Sequence, residues 1–516
     1  MRYLLFFVIL PIGIVALLTG CSLTGSYTSR EQQDTTFYGD ITSKCIDYEG
    51  IERNPIIVVH GFLGSTLIDS TTGNNLWGNF RGMDMITVSD KKIRSLSHPM
   101  GYKKPLRELK DKTVPEAILE TVKVTCLGMS VKVAAYKKLI DALVRVGYHP
   151  EGRPLPKDKH FYSLSEFAYD WRRDLPETAK KLDRFIKTKR KYLQQKYKEL
   201  YGIDDFDVQF DIIGHSMGGL ISRYYLYYGT QDLPQDDSLP KLDWYGSKYI
   251  DRLILAGTPN AGYLDTFLEM LHGGGLQPFP PAALGTLPTY YQMLPVPQRE
   301  SIVYSDTQEP VNIFDPEIWK KMKWGIVNPK EDETLKLLLP NAESKEERAN
   351  IAYDHLSKCL KRAEQFIEAM GIKASPPDNV LLLLVFGSGF KTSRRAFVNR
   401  ETGEIERVTY SSGDGKVLAS SALWDIRADE KWSFSLKSPI DWSYLLNLRA
   451  AHMGILEAPV FEDNILLMLS MLETKKKKEI LDGITCSIVP QTNIKLEASK
   501  KKGKMGKKEK LSEIKK

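Results

Sequence analysis

Ser216 lies in the run FDIIGHSMGGLIS (210–222), where a serine sits two residues after one glycine and two before another. A serine hydroxyl is a poor nucleophile until a base takes its proton, so its chemistry depends on what the rest of the chain supplies. VQFDIIG reads as a buried strand entering the serine, and LISRYYLYY as a helix leaving it, with Gly214 and Gly218 permitting a close turn between them. A nucleophile held on such a turn leaves no room for a Cβ beside it. The helix N-terminus then offers amides and partial positive charge to a developing oxyanion.

The base must be a histidine that reaches this turn. Of eight histidines, His272, His355 and His452 follow the serine. The first two precede the last fully buried strand, NVLLLLVFG (379–387), whereas His452, in LRAAHMGIL, follows both it and a suitable acid. In the order nucleophile, acid, base, that acid is Asp414 of SSGDGKV, flanked by Gly413 and Gly415, which let a carboxylate approach an imidazole. Asp378 precedes its strand, and Asp425 and Asp441 lack a tight turn. A second oxyanion donor is expected after the first buried strand, PIIVV, where His60-Gly61-Phe62 stands, so the amides of Phe62 and Met217 form the natural pair. His60 and His215 shape these loops rather than carry protons. The chemistry needs no metal or organic cofactor.

The elements that must position these groups alternate between strand and helix. Apolar residues at 136, 139, 140, 143 and 144 predict a helix over Val131–Val146 ended by Gly147, and a second amphipathic stripe predicts one from about Pro176 to Tyr201. FYSLSEFAYDW alternates like a strand, RLILAG reads as another, and AFVNRETGEIERVTY as a hairpin turning near Thr402-Gly403. This pattern predicts an α/β class: a mostly parallel central sheet with helices on both faces. Residues 66–129 read as an irregular excursion. The Pro-, Gly- and charge-rich stretch 261–378 reads as a second insertion, and the two together would form a lid or cap. LPTYYQMLP and HGGGLQPFPPAAL give the second insertion apolar, proline-stiffened surface.

The ends of the chain carry different information. MRYLLFFVILPIGIVALLTGC reads as a lipoprotein signal peptide over 1–20 with a lipobox, LTGC, that makes Cys21 the lipidated residue; an uncleaved anchor helix is the alternative. Residues 21–50 read as a polar tether, 51–475 as the catalytic domain and 476–516 as an extension. Its last 22 residues, 495–516, hold ten lysines against three glutamates, which equals the +7 of the whole chain, so the body is neutral and the tail basic. The tail is too polar to build a core and is expected to be disordered, with attraction to an anionic membrane as its functional reading. Nucleic acid is disfavoured by the outward-directed N-terminus. The expected location is the bacterial cell envelope, outside the cytoplasm; Ser22 after Cys21 favours the outer membrane where the organism has one. Cys45, Cys126, Cys359 and Cys486 have no metal-site spacing, and their pairing is open.

With these residues in place, the chain resembles the lecithin:cholesterol acyltransferase family. The resemblance runs from about Asn54 to Leu469, through PIIVVHGFLGSTL, LIDALVRVGY, AYDWR, GHSMGG, AGTPNAG, YYQMLP, FGSG, GDGKV and the late His452. It implies an α/β-hydrolase fold, with Ser216, Asp414 and His452 as the triad. It also implies that Tyr169, Trp171 and Arg172 lie beside the site, where an indole and a guanidinium would receive an acyl chain and an anionic headgroup. The chain departs from the family at His60-Gly61, where Pro-Gly is usual, and at Lys416, where the acid motif usually has Thr. It also lacks a cysteine between His60 and Cys126 to brace a lid.

The reading is a membrane-tethered serine lipid esterase or O-acyltransferase acting through an acyl-serine on phospholipid or other lipid esters. The alternatives are a small-ester or thioester hydrolase and a non-catalytic lipid-binding surface lipoprotein. Oligomeric state is not legible in the sequence.

Overall fold

A computed structural model describes residues 48–81, 88–126, 129–274, 278–427, 433–471 and 478. The signal peptide, Cys21, most of the tether, Cys45, Cys486 and the basic tail lie outside the described residues.

Six strands build the central sheet: β1 Ile56–Val59, β2 Leu164–Phe167, β3 Phe210–His215, β4 Ile250–Ala256, β5 Leu381–Gly387 and β6 Tyr444–Leu448. They lie in the order β6-β5-β4-β3-β1-β2, and every neighbouring pair is parallel. The apolar runs IIVV and LLLLVFG are what a parallel sheet covered on both faces requires. Alternate residues serve opposite faces. Ile57, Val59, Ile212, Leu253 and Leu384 join one core, while Ile56, Val58, Ile213, Ile254 and Leu383 join another. The first is covered by the helices Leu175–Tyr201, Met217–Tyr228 and Lys345–Met370, the second by Lys137–Arg145 and Pro459–Met471. Among the described residues no helix is long and apolar enough to cross a membrane.

The in-register pairs Val59↔Gly214 and Ala256↔His215 align the carboxyl ends of the central strands at one edge. The chain runs from β1 outward to β2 and then returns to place β3 on the other side of β1. That reversal opens a crevice beyond β1 and β3, where α/β sheets bind ligands.

Three segments differ from the sequence expectation. Residues 66–129 are not irregular. Ser65–Asp69, Asn75–Trp77 and Thr113–Ile118 form one small sheet, Asn79–Arg81, Thr121–Cys126 and Met129–Ala134 another, and Asp90–Leu96 is a helix. These strands are short and have exposed edges, so their apolar alternation is weak. The helix expected from Val131 starts at Lys137, because Met129–Ala134 pairs antiparallel with Thr121–Cys126. The stretch 261–378 holds a 26-residue helix, Lys345–Met370, capped at Ser344, whose side chain accepts from the Glu347 amide at 3.0 Å. Ser-x-x-Glu is a capping-box signature, and Ala352, Leu356, Cys359, Ala363, Phe366 and Met370 form its buried stripe. Its charged residues hide that stripe from a composition reading. This cap helix is docked onto the helix that follows the serine: Tyr228 Oη donates to Ala369 O at 2.6 Å and Arg223 Nη1 to Met370 O at 2.8 Å.

Candidate active site

Ser216 occupies the turn between β3 and the helix Met217–Tyr228 with φ 53° and ψ −124°. A side-chain-bearing residue pays of order 1–3 kcal/mol for such a conformation, and it persists only where its surroundings over-determine it. They do so here by contact. A Cβ on Gly218 would sit 2.3 Å from Val59 O and His60 O, on Gly214 2.8 Å from Gly219 Cα, and on Gly219 1.9 Å from Thr258 Oγ1. The glycines are therefore a packing requirement between β1, β3 and the loop after β4.

The three residues expected to work together are brought together. His452 Nε2 lies 3.0 Å from Ser216 Oγ, and His452 Nδ1 lies 2.8 Å from Asp414 Oδ2. With Nδ1–H donating to the carboxylate, Nε2 is left as the acceptor that faces the serine hydroxyl. Asp414 is buried, and its other oxygen accepts from the amides of Lys416 at 2.9 Å and Val417 at 2.7 Å. The His452 amide donates to Asp414 O at 2.9 Å, so the two loops are joined by backbone as well as by side chain. A Cβ on Gly387, in the FGSG motif, would lie 2.5 Å from Asp414 Cβ, which is why that turn reads Gly-Ser-Gly.

The loop His60-Gly61-Phe62, expected to supply an oxyanion donor, presses against the serine: a Cβ on Gly61 would fall 2.9 Å from Ser216 Cβ. Gly64 N–H donates to Gly61 O at 3.1 Å and Leu63 has φ 64°, a tight turn that carries Phe62 at its corner. Met217 is the first residue of its helix, so its N–H has no partner within the helix.

One residue here was not singled out in the sequence. Tyr136 Oη accepts from the Gly61 amide at 2.7 Å and donates to His215 Nδ1 at 2.9 Å, and His215 Nε2 faces His452 O at 3.4 Å. The chain of bonds ties the oxyanion loop to the loop that bears His452. Burial drives His215 well below its ordinary pKa, with the nearby His452 adding to the effect, and raises the Tyr136 phenol, so both are neutral bridging groups. His60 is likewise neutral, lowered by burial to about 3. Its Nδ1 faces Gly61 O at 2.7 Å, and its Nε2 accepts from the Tyr169 amide at 3.2 Å.

The AYDWR residues divide by role. Tyr169 is stacked on His60 with ring centroids 3.9 Å apart, and its hydroxyl donates to His60 O at 2.5 Å. Arg172 is fully buried: its Nε and Nη2 donate to Asp170 at 2.9 and 2.8 Å, and both terminal nitrogens reach Asp111, at 2.9 and 3.1 Å. The remaining Nη1 proton faces Ser95 O and Ser97 O, each at 3.2 Å. The contact with an anionic headgroup expected of Arg172 is thus corrected to a brace, because every guanidinium proton is already used, and Tyr169 likewise braces His60 rather than facing substrate. Trp171 alone of the three lines a pocket. This is a small apolar pocket of about 20 Å³, walled also by Phe62, Trp77, Leu96, Phe279 and Tyr290. Phe62 packs edge-on against Trp171 and Tyr290, at 4.9 and 5.1 Å between centroids, so the pocket starts at the oxyanion loop.

The other histidines lie elsewhere. His355 is buried on the cap helix with Nε2 2.9 Å from Thr286 O, and Cys359 beside it is a free buried thiol. Asp425 is spent on Arg427 at 2.8 Å. Lys416, where Thr is usual, is half exposed and lies 3.4 Å from Glu269 and 3.6 Å from Asp265.

The sequence model for lecithin:cholesterol acyltransferase matches residues 116–320, a span that includes Ser216 but neither Asp414 nor His452. A search of curated proteins finds no matching sequence. Among solved structures, the Tle4–Tli4 complex overlaps 81% of this chain and 99% of its own at 12% identity and a TM-score of 0.45. The Bacillus licheniformis lipase BlEst2 in its propeptide form overlaps 83% of this chain and 53% of its own, at 10% identity and a TM-score of 0.31. A possible aryl esterase from Burkholderia cenocepacia overlaps 82% and 92%, at 14% identity and a TM-score of 0.25. These overlaps are loose, and the architecture is read from the six-stranded parallel sheet itself. Over residues 116–320 the chain is thus similar to lecithin:cholesterol acyltransferase.

Proposed function

We propose that the chain is a serine lipid esterase or O-acyltransferase. The observation that carries this is His452, whose two ring nitrogens bridge Ser216 Oγ at 3.0 Å and the buried Asp414 carboxylate at 2.8 Å. In the proposed cycle Ser216 Oγ attacks an ester carbonyl while His452 Nε2 takes its proton, and Asp414 stabilises the cation that forms. The amides of Phe62 and Met217 hold the oxyanion. Collapse breaks the bond to the leaving alcohol, which takes the proton from His452, and an acyl-serine remains. Water or a second alcohol then gives up a proton to His452 and attacks the same carbonyl. The apolar side chains around Phe62, among them Trp171, Phe279 and Tyr290, favour a lipid ester over a small polar one.

Anchoring through a lipidated Cys21, with the basic tail 495–516 adding attraction to anionic headgroups, would hold the domain at the bacterial envelope membrane where such esters lie. The deciding experiment incubates the soluble body, residues 22–516, with phospholipid vesicles containing a long-chain alcohol, and measures free fatty acid and new ester by mass spectrometry beside Ser216→Ala. New ester lost in the variant establishes transfer, and serine-dependent fatty acid alone establishes hydrolysis. If both products are absent, or unchanged in the variant, the proposal fails.

A further inference from the structure

The two edges of the central sheet are finished differently. At one, Leu164 of β2 is bridged by Pro150, and Ser165 Oγ donates to Glu151 at 3.0 Å, so a proline and a carboxylate close that side. At the other, β6 ends the order of strands, with Tyr444 38% and Leu445 41% exposed. Leu448 O accepts from the Ser388 amide at 2.8 Å, which turns the peptide groups of Leu448, Leu446 and Tyr444 toward β5. Residues of a strand alternate in this respect, so the N–H and C=O of Leu445 and Asn447 point outward, and they have no hydrogen-bond partner among the described residues. The strand carries no lysine, proline or bulge to blunt that edge.

We propose that β6 is the pairing edge for a second copy of this chain, antiparallel across a twofold axis at Leu445, which joins the two six-stranded sheets into one. The run DWSYLLNLR (441–449) is self-complementary in that arrangement. Leu445 faces its own copy and exchanges two N–H···O bonds with it, Tyr444 faces Leu446, and Ser443 faces Asn447. The flanking Asp441 comes to the end of the pair that holds Arg449. Both of these residues are exposed, and neither side chain has an ion-pair partner among the described residues. Moving the axis to Tyr444 or Leu446 sets Asn447 opposite Asp441 or Leu445 and loses the charge match. A lipid surface would leave the outward peptide groups unpaired. A strand supplied after the helix Pro459–Met471 would need a crossover of the wrong hand. That helix lies on the face opposite Met217–Tyr228, which carries the chain from β3 to β4 in the same direction.

The first test is the molar mass of the full chain, by sedimentation equilibrium in density-matched detergent. A dimer is expected, and Asp441→Arg or Arg449→Asp, each of which sets like charges together, should weaken it about tenfold or more. The two changes combined in one chain restore the opposition of charge and should restore the dimer. A chain that stays monomeric up to about 100 μM overturns the proposal. So does a dimer that neither single change weakens, or one that the double change does not recover. The second test reads the register without altering the charges. Paired Leu445 Cα atoms would lie about 5.5 Å apart, within disulfide range, whereas the two Asn447 Cα atoms would be four residues out of step, about 14 Å apart. Under mild oxidation Leu445→Cys should form a linked dimer above the background of the unaltered chain, and Asn447→Cys should not. Any other pattern overturns the pairing.

Discussion

The serine elbow and the pocket beside it are built on opposite terms. Around Ser216 the side chains that hold the geometry are paired, Thr258 Oγ1 beneath Gly219 excepted: Asp414 accepts from His452 and two amides, His60 is engaged at both ring nitrogens, and Tyr136 links Gly61 to His215. In the wall of the pocket, Trp171 Nε1 and Ser97 Oγ are buried with no hydrogen-bond partner among the described residues. A fully satisfied network fixes one arrangement before substrate arrives, which is what proton transfer and oxyanion binding demand. A buried polar atom left unpaired instead costs about 1–3 kcal/mol. The elbow is fixed by its hydrogen bonds, and the pocket wall beside it is held by apolar packing.

The most severe way to break the elbow is to remove a group that acts in the proposed chemistry. Ser216→Ala should lower turnover by ~10³-fold or more, and Asp414→Asn by about 10³- to 10⁴-fold, because the amide leaves His452 in the wrong tautomer. Steady-state rates on a soluble chromogenic ester read both, and an Asp414→Asn enzyme within tenfold of the unaltered one would remove Asp414 from the base's service.

Next comes the packing beneath the turn. Gly219→Ala places a methyl 1.9 Å from Thr258 Oγ1, and should cost about 1–3 kcal/mol of stability as well as displace the elbow. Denaturant titration beside activity would show both losses; a stable, active variant would mean that the loop after β4 yields freely.

Tyr136→Phe tests whether the bridge matters apart from the fold. It strands the Gly61 amide and His215 Nδ1 while keeping the ring, so kcat should fall about tenfold with KM little changed, consistent with roughly 1–3 kcal/mol for an unpaired buried group. A rise in KM alone would assign Tyr136 to the pocket instead.

The contrast also has a pH signature. Burial lowers His60 to about 3 and His355 to about 4, and takes His98 and His215 well below the ordinary value. Below about pH 6.5 the unfolded chain binds protons that these folded side chains refuse, so their stabilisation is complete above that pH and is lost as pH falls. Each adds a slope of up to ~1.4 kcal/mol per pH unit. Glu166, raised by burial to about 7, opposes them with a single proton, since it favours the folded state in acid. Melting temperature should therefore drop between pH 6.5 and 4, and a flat profile there would contradict four neutral buried histidines. The smallest effect belongs to Lys416→Thr. A half-exposed lysine facing Glu269 and Asp265 contributes about 0–1 kcal/mol, so rates and stability should hold within a few-fold.

What could be read without a structure was what depends on neighbours in sequence. Five of the six sheet strands are legible in runs such as IIVV and LLLLVFG, the elbow in the glycines two residues either side of Ser216, and the hairpin in Thr402-Gly403, whereas the edge strand Tyr444–Leu448, mostly exposed, has no such run. Chain order, with the glycines flanking Asp414, pointed to Asp414 and His452, and the fold places their side chains 2.8 Å apart. The cap helix Lys345–Met370 was legible in Ser344-x-x-Glu347, yet its charges obscured its stripe.

Contacts between distant segments could not be read in this way. Tyr136 meets His215 across 79 positions, and Arg172 meets Asp111 across 61, so neither the bridge nor the exhaustion of Arg172 has any local signature. In the same way, the sequence shows that Trp171 and Ser97 exist, but only folding buries them in the wall of one pocket and withholds their partners. By itself the sequence determined the order of elements and the residue types able to do chemistry, since periodicity and turn propensity act over a few residues. The tertiary structure decided which polar groups are paired, since hydrogen-bond saturation is set by whatever the fold brings within about 3 Å.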